Sequence, residues 1–281
     1  MCNKSEKYEQ IYLISFYCSL VSAVSCILIL ITIFKALQLK NPSVQILLYM
    51  STIDLVRSVL FFFPFSWSSN FYFCSLFGIV INWAIFSNSI WSQFIVYTLY
   101  KLHKNTEDPE YSLKFWNFLA FLITPIYQVL PILTQSYGFN AGLCGFTDDF
   151  YGYLWRGIEQ GLIILSNLIG ICVYIWMYCR LKTLRIIEFK VLFFEKGLIY
   201  AVIYLFIVGE LLVFRYFEIF YEFCEIFWLA YISFALVSLH GFFNFLAMLC
   251  NINFRIAVKS HLFKKNERCT LDSVILDLIE N

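Results

Sequence analysis

The residues able to do chemistry are few, and most are arginines and carboxylates set a few positions apart inside long apolar runs. Asp54 and Arg57 stand three apart, as do Arg156 and Glu159, while Glu210 and Arg215 interrupt another run. On a helix, three residues apart is close enough to pair on one face. Ionisable groups at membrane depth are costly, so they are paired or functional. For Asp54 and Arg57 two readings stand. They neutralise each other, or they form the hinge of a switch in which Asp54 bonds Asn or Ser on a neighbouring helix. His240 and Asn244, at i, i+4, join that switch set, with Gly241 allowing a close approach. Asn82, Ser89 and Gln93, at i, i+7 and i+11, form a polar seam that should face the bundle interior and hydrogen-bond between helices.

Arg156, Glu159, Glu210 and Arg215 fall near one end of their runs and, with Asn82, are the candidate ligand site. Two guanidiniums converging on a cavity suit an anion, because each presents a fork of N–H donors to carboxylate or phosphate. Local pairing is the alternative, Arg156 with Glu159 and Arg215 with Glu218, and it would leave nothing for a ligand.

Catalytic patterns are missing. There is no GxxxxGK[ST] phosphate loop and no HExxH. His103 and His261 lie in polar segments away from His240, so a hydrolytic zinc site is not expected. No lysine occurs between Glu225 and Cys250, which excludes a retinal Schiff base there. The expectation is a protein that is not an enzyme and carries no metal or cofactor. A net charge of +1 gives no reason to expect nucleic acid as a partner.

The elements that must position these groups are membrane helices. Of 281 residues, 61% are hydrophobic and 14% charged, and apolar runs of about 20 residues, enough for roughly 30 Å of hydrocarbon, recur along the chain. The spacing predicts helices at Ile11–Phe34, Val44–Phe65, Tyr72–Leu99, Phe115–Leu133, Gly152–Cys179, Gly197–Phe217 and Glu225–Cys250. Pro125 and Pro131 predict a kink in the fourth. The fold class is therefore an all-α membrane protein, a seven-transmembrane-helix bundle in a lipid bilayer. Fifteen of the twenty Lys and Arg fall on one side, which puts that side in the cytoplasm, the N-terminus outside and the C-terminus inside.

That orientation places Cys74 and Cys144 together in an oxidising compartment, and a disulfide between them is expected. Cys2 and Cys224 share that side without being assigned to each other. Asn3-Lys4-Ser5 is a glycosylation sequon. After the seventh helix, Phe254, Val258 and Leu262 line one face beside Arg255, Lys259, Lys264 and Lys265. This reads as an amphipathic helix on the anionic inner leaflet. Residues 1–264 then form the membrane domain with that helix, and 265–281 a cytoplasmic tail.

Seven crossings, a cysteine heading helix three and another in the second outer loop resemble the G-protein-coupled receptor plan. MSTIDLVRSVLFFFP, SNSIWSQFIVYTLY, GLCGFTDDFYGYLWRG and SLHGFFNFLAMLCNINFR look like the cyclic-AMP-receptor-like family, with secretin-like relatives as neighbours. No Asp-Arg-Tyr triplet ends helix three, unlike the rhodopsin-like class. The resemblance implies a plasma-membrane receptor that couples an extracellular ligand to a heterotrimeric G protein. The basic segment Arg180–Lys196, with Lys182, Arg185 and Lys190, would be the main G-protein contact, and Lys101 to Lys114 the second. The competing class is a seven-helix transporter or channel, which should show repeats, broken helices or a charged path through the midplane.

Overall fold

A computed structural model of the chain describes residues 3–36, 42–104, 109–140, 143–183, 202–203, 206–207 and 209–250. The amphipathic segment, the tail, Arg185 and Lys190 lie outside the described residues, as does the side chain of Lys182.

Helix α1 (Lys4–Ala36) shows what drives the architecture. Its 33 residues are about 50 Å long at 1.5 Å per residue, ample for a membrane. Leu20, Val24, Ile27, Leu28 and Ile31 are exposed, whereas Ser15, Ser19, Ser22 and Ser25 are buried. Polarity is thus inverted relative to a soluble helix: apolar side chains face lipid, and small hydroxyl residues admit neighbouring backbones. Those neighbours are helix α2 (Pro42–Leu60) and the seventh helix.

A 3-10 turn (Phe65–Ser69) leads from α2 into α3 (Phe71–Lys104), the central helix, which packs against α2, the fourth and fifth helices and a β-hairpin. Asn70 starts α3 by accepting hydrogen bonds from the N–H groups of Tyr72 (3.0 Å) and Phe73 (3.2 Å), so Cys74 sits in the first turn.

The fourth helix, α4, is composite: α-helical at Pro109–Phe118 and Thr124–Val129, π-helical at Leu119–Ile123 and 3-10 at Leu130–Thr134. Pro125 is the cause. It has no N–H for the Ala120 carbonyl five residues back, and that oxygen instead accepts from Trp83 Nε1 (3.0 Å) and Ser87 Oγ (2.9 Å) of α3 and from Thr124 Oγ1. The expected proline kink is therefore a π-turn held by α3.

Strands β1 (Tyr137–Asn140) and β2 (Leu143–Phe146) pair antiparallel with Tyr137 opposite Phe146, an addition to the expected all-helical plan. Helix α5 (Phe150–Thr183) follows, capped by Asp149 through Gly152 N–H (2.7 Å). Helix α6 is described at 202–203, 206–207 and 209–217. The seventh helix, α7, is not the single rod expected: Phe227–Ser238 and His240–Leu249 meet at Leu239 with a bend of 52°. Among the described residues four helices (α1, α3, α4 and α5) are each long and apolar enough to cross a membrane, and the two halves of α7 pass together.

Candidate functional site

The hairpin is clamped onto α3 by a disulfide between Cys74 and Cys144, with Cα atoms 5.0 Å apart. Tyr137 seats the other strand. A Cβ on Gly78 would come within 2.7 Å of the Tyr137 ring, so only glycine lets the hairpin lie this close to α3. The Tyr137 hydroxyl donates to Gln128 O at 2.9 Å. Burial, and then the Glu159 carboxylate, push this phenol above its ordinary pKa. Cys224 is also disulfide-bonded, although its pairing was not assigned from the sequence.

Beneath the hairpin is a cavity of about 80 Å³, against roughly 10–15 Å³ for one water. Its polar lining includes Arg57, Asn82, Arg156, Glu159 and Arg215. Four of these come from the five residues expected to hold a ligand. Glu210 does not line the cavity; its described hydrogen bond is made by its carbonyl, which accepts from Ser233 Oγ at 3.1 Å.

Of the two local pairs that stood as the alternative, Arg215 with Glu218 forms and the other does not. Arg156 does not bond Glu159. Its Nη2 reaches upward to Phe146 O (2.7 Å) and Asp148 Oδ1 (3.3 Å), and its Nη1 to Glu218 Oε2 (3.2 Å). The same Glu218 oxygen accepts from Arg215 Nη1 at 2.7 Å. Both guanidiniums expected to greet an anion are thus neutralised, and they tie the hairpin, α5 and the end of α6 together. Glu159, one turn below, is buried without an ion pair among the described residues and shares a side-chain hydrogen bond with Gln128. Three residues of spacing made the Arg156–Glu159 pair possible, but the carbonyl and carboxylates of the hairpin end compete for the arginine and win.

A second polar centre lies deeper. Asp54 is wholly buried and accepts from Asn88 Nδ2 (2.9 Å) and Asn244 Nδ2 (2.8 Å). His240 Nδ1 lies 2.9 Å from both of its oxygens. Arg57 Nη2 approaches at 3.1 Å, near enough for an ion pair but without hydrogen-bond geometry. Helices α2, α3 and α7 meet here, at the first residue beyond the α7 bend. The expected set Asp54, Arg57, His240 and Asn244 is brought together. Asn88 was missed in favour of its neighbour Ser89, which bonds Ser166 of α5 at 3.2 Å. Gln93 packs against Gly170 of α5, so the lower part of the predicted seam is the α3–α5 contact. Gly241 faces Cys26 and Ser22 of α1, as the close approach required.

Arg57 belongs to both centres. It lines the cavity and contacts Asp54, which gives a physical path from the space under the hairpin to the bend in α7.

No protein-family model matches the chain, and no curated protein matches it. Among solved structures it is similar to the crystal structure of squid rhodopsin, with a TM-score of 0.59 at 13% identity, over 94% of this chain and 87% of that one. At that identity the likeness concerns the fold: this chain has the seven-helix bundle architecture of a membrane protein.

Proposed function

We propose that the chain is a plasma-membrane receptor of the G-protein-coupled type, with the hairpin end extracellular and the N-terminus outside. A ligand entering the cavity beneath the hairpin shifts the bundle between two arrangements by binding one of them more tightly. The observation that carries this reading is Arg57, which touches both the cavity and the Asp54 cluster at the α7 bend. A ligand that draws on the guanidinium changes the balance of charge around Asp54, and that balance sets how firmly α2 holds the lower half of α7.

At the opposite end, the basic segments flanking α3 and α5 supply the surface for a heterotrimeric G protein, with Lys182, Arg185 and Lys190 as principal contacts. Within the class, the motifs of α2, α3, α5 and α7 favour the cyclic-AMP-receptor-like family, and they are the sole support for that finer assignment. The deciding experiment is nucleotide exchange on candidate Gα subunits in membranes carrying the full chain, with a substrate-flux assay alongside. Exchange without flux supports a receptor; flux without exchange overturns it in favour of a transporter.

A further inference from the structure

Four ionisable groups line the cavity, and each is already answered within the protein. Arg57 pairs with Asp54 at 3.1 Å. Arg156 and Arg215 share one oxygen of Glu218, at 3.2 Å and 2.7 Å, and Asp148 adds a further contact to Arg156. Three guanidiniums thus face three carboxylates. Glu159 is buried and shares a side-chain hydrogen bond with Gln128. A carboxyl taken out of water, with an amide for a partner and no counter-ion, keeps its proton and stays neutral. Among the described residues the lining therefore carries no surplus charge of either sign.

The rest of the wall is apolar or neutral. Phe61, Ile81, Ile85, Ile163 and Phe234 supply hydrocarbon from α3, α5, α7 and the turn after α2, while Asn82, Gln160 and Ser238 supply neutral hydrogen-bonding groups. Asn82 shares a bond with Tyr137, yet an amide has two donor hydrogens and two acceptor sites, and a guanidinium has five N–H groups. These groups retain the capacity to meet a neutral oxygen without giving up the partners they have. An ion is different, because it must strip a partner from a buried pair, which is strongly unfavourable. Size adds a further limit: about 80 Å³ is roughly half of the about 150 Å³ that accommodates benzene in an apolar cavity.

We infer that the cavity takes a small uncharged ligand, mainly apolar with one hydroxyl or carbonyl group, and that Glu218 is the residue that keeps anions out. This rests on the receptor reading for its consequence in the bundle, and it replaces the anionic preference that the arginines alone suggest. The hydrocarbon of the ligand packs on the isoleucines and phenylalanines, and its oxygen accepts from N–H groups of the wall, Arg57 among them, with every ion pair kept. Glu218 sets the specificity because its carboxylate offsets two lining arginines at once. Without that charge, Arg215 has no carboxylate partner among the described residues, and Arg156 keeps only Asp148, whose side chain is 51% exposed.

The test is thermal unfolding of the full chain in lipid nanodiscs with n-butanol, butanone, butyrate and n-butylamine, each at millimolar concentration. A molecule that binds the folded chain alone raises Tm by mass action. Butanol or butanone should raise Tm, and butyrate and butylamine should not. Ile85→Phe and, separately, Ile163→Phe fill the cavity from α3 and α5 and should abolish the rise, whereas an effect of the alcohol on the bilayer would persist in both. Glu218→Gln should gain a rise with butyrate that the unaltered chain lacks. No rise with either neutral probe, an equal rise with butyrate or butylamine, or a rise that survives in both filled variants overturns the inference. A folded Glu218→Gln chain that gains nothing with butyrate overturns the role of Glu218. If the variants do not fold, the comparison of the four probes on the unaltered chain decides alone. Stabilisation by a neutral probe without nucleotide exchange on any Gα would instead count against the receptor reading while leaving the neutral-ligand site standing.

Discussion

His240 Nδ1 stands 2.9 Å from each carboxylate oxygen of Asp54, joining α2 to α7 one residue past the 52° bend at Leu239. No proline accounts for that bend, since none occurs between Glu225 and Cys250. Breaking the helix at Leu239 turns His240 and Asn244 toward Asp54 together, and their bonds hold the lower half of α7 on α2.

Removing the acceptor should therefore loosen the helix that it anchors. Asp54→Ala leaves Arg57 and His240 buried without their anion and should destabilise the protein by about 3–5 kcal/mol. Asp54→Asn keeps a hydrogen-bond acceptor and should lose clearly less. Thermal unfolding of both variants in nanodiscs checks the order. Equal stability of Asp54→Ala and the unaltered chain would show that the cluster holds nothing together.

The disulfide closes a loop 70 residues apart in sequence. Chain-entropy arguments assign such a bridge about 4 kcal/mol. Cys144→Ser should sharply reduce surface expression. Peptide mapping without reduction should recover Cys74 linked to Cys144, and free thiols at both positions would contradict the link.

Gly78→Val tests the hairpin seat independently. Any Cβ there meets the Tyr137 ring at 2.7 Å, and that ring is tethered to Gln128, so the hairpin must lift. Overpacking of this kind costs about 1–3 kcal/mol. Gly78→Val should lower Tm less in a Tyr137→Ala background than in the unaltered chain, because the clash is absent there.

Asp149 caps α5, and the bonds from Thr147 Oγ1 and Gly152 N–H hold its carboxyl below the ordinary carboxylate pKa. Its contribution is complete above the unfolded-state value and fades as pH falls through the lower folded value. Asp149→Ala should cost about 1 kcal/mol near neutral pH. The difference from the unaltered chain should shrink in acid, and a constant difference would contradict the role.

Much of this was legible beforehand. Apolar length located the helices, and the three-residue spacing of Asp54 and Arg57 announced their pairing. Asn82 was found because its seam repeats at helical intervals, whereas Asn88, one residue before Ser89, fell off that pattern and was passed over. The β-hairpin escaped because four-residue strands carrying Gly138 and Gly145 show too little alternation. Glu218 looked like a local partner of Arg215. Only the fold reveals that it also takes Arg156 from another helix, which changes the chemistry of the cavity. The break at Leu239 was passed over because no proline marks it, although Ser238 and Gly241 flank it.

The most direct measurement of the receptor reading is GTPγS binding to a panel of Gα subunits in membranes bearing the full chain, with a library of small extracellular ligands as probes. The account predicts probe-stimulated exchange on at least one subunit, abolished when Lys182, Arg185 and Lys190 are all changed to Glu in a correctly inserted chain that still binds the probe. Probe binding with no exchange on any subunit, or full exchange in that triple variant, would contradict it.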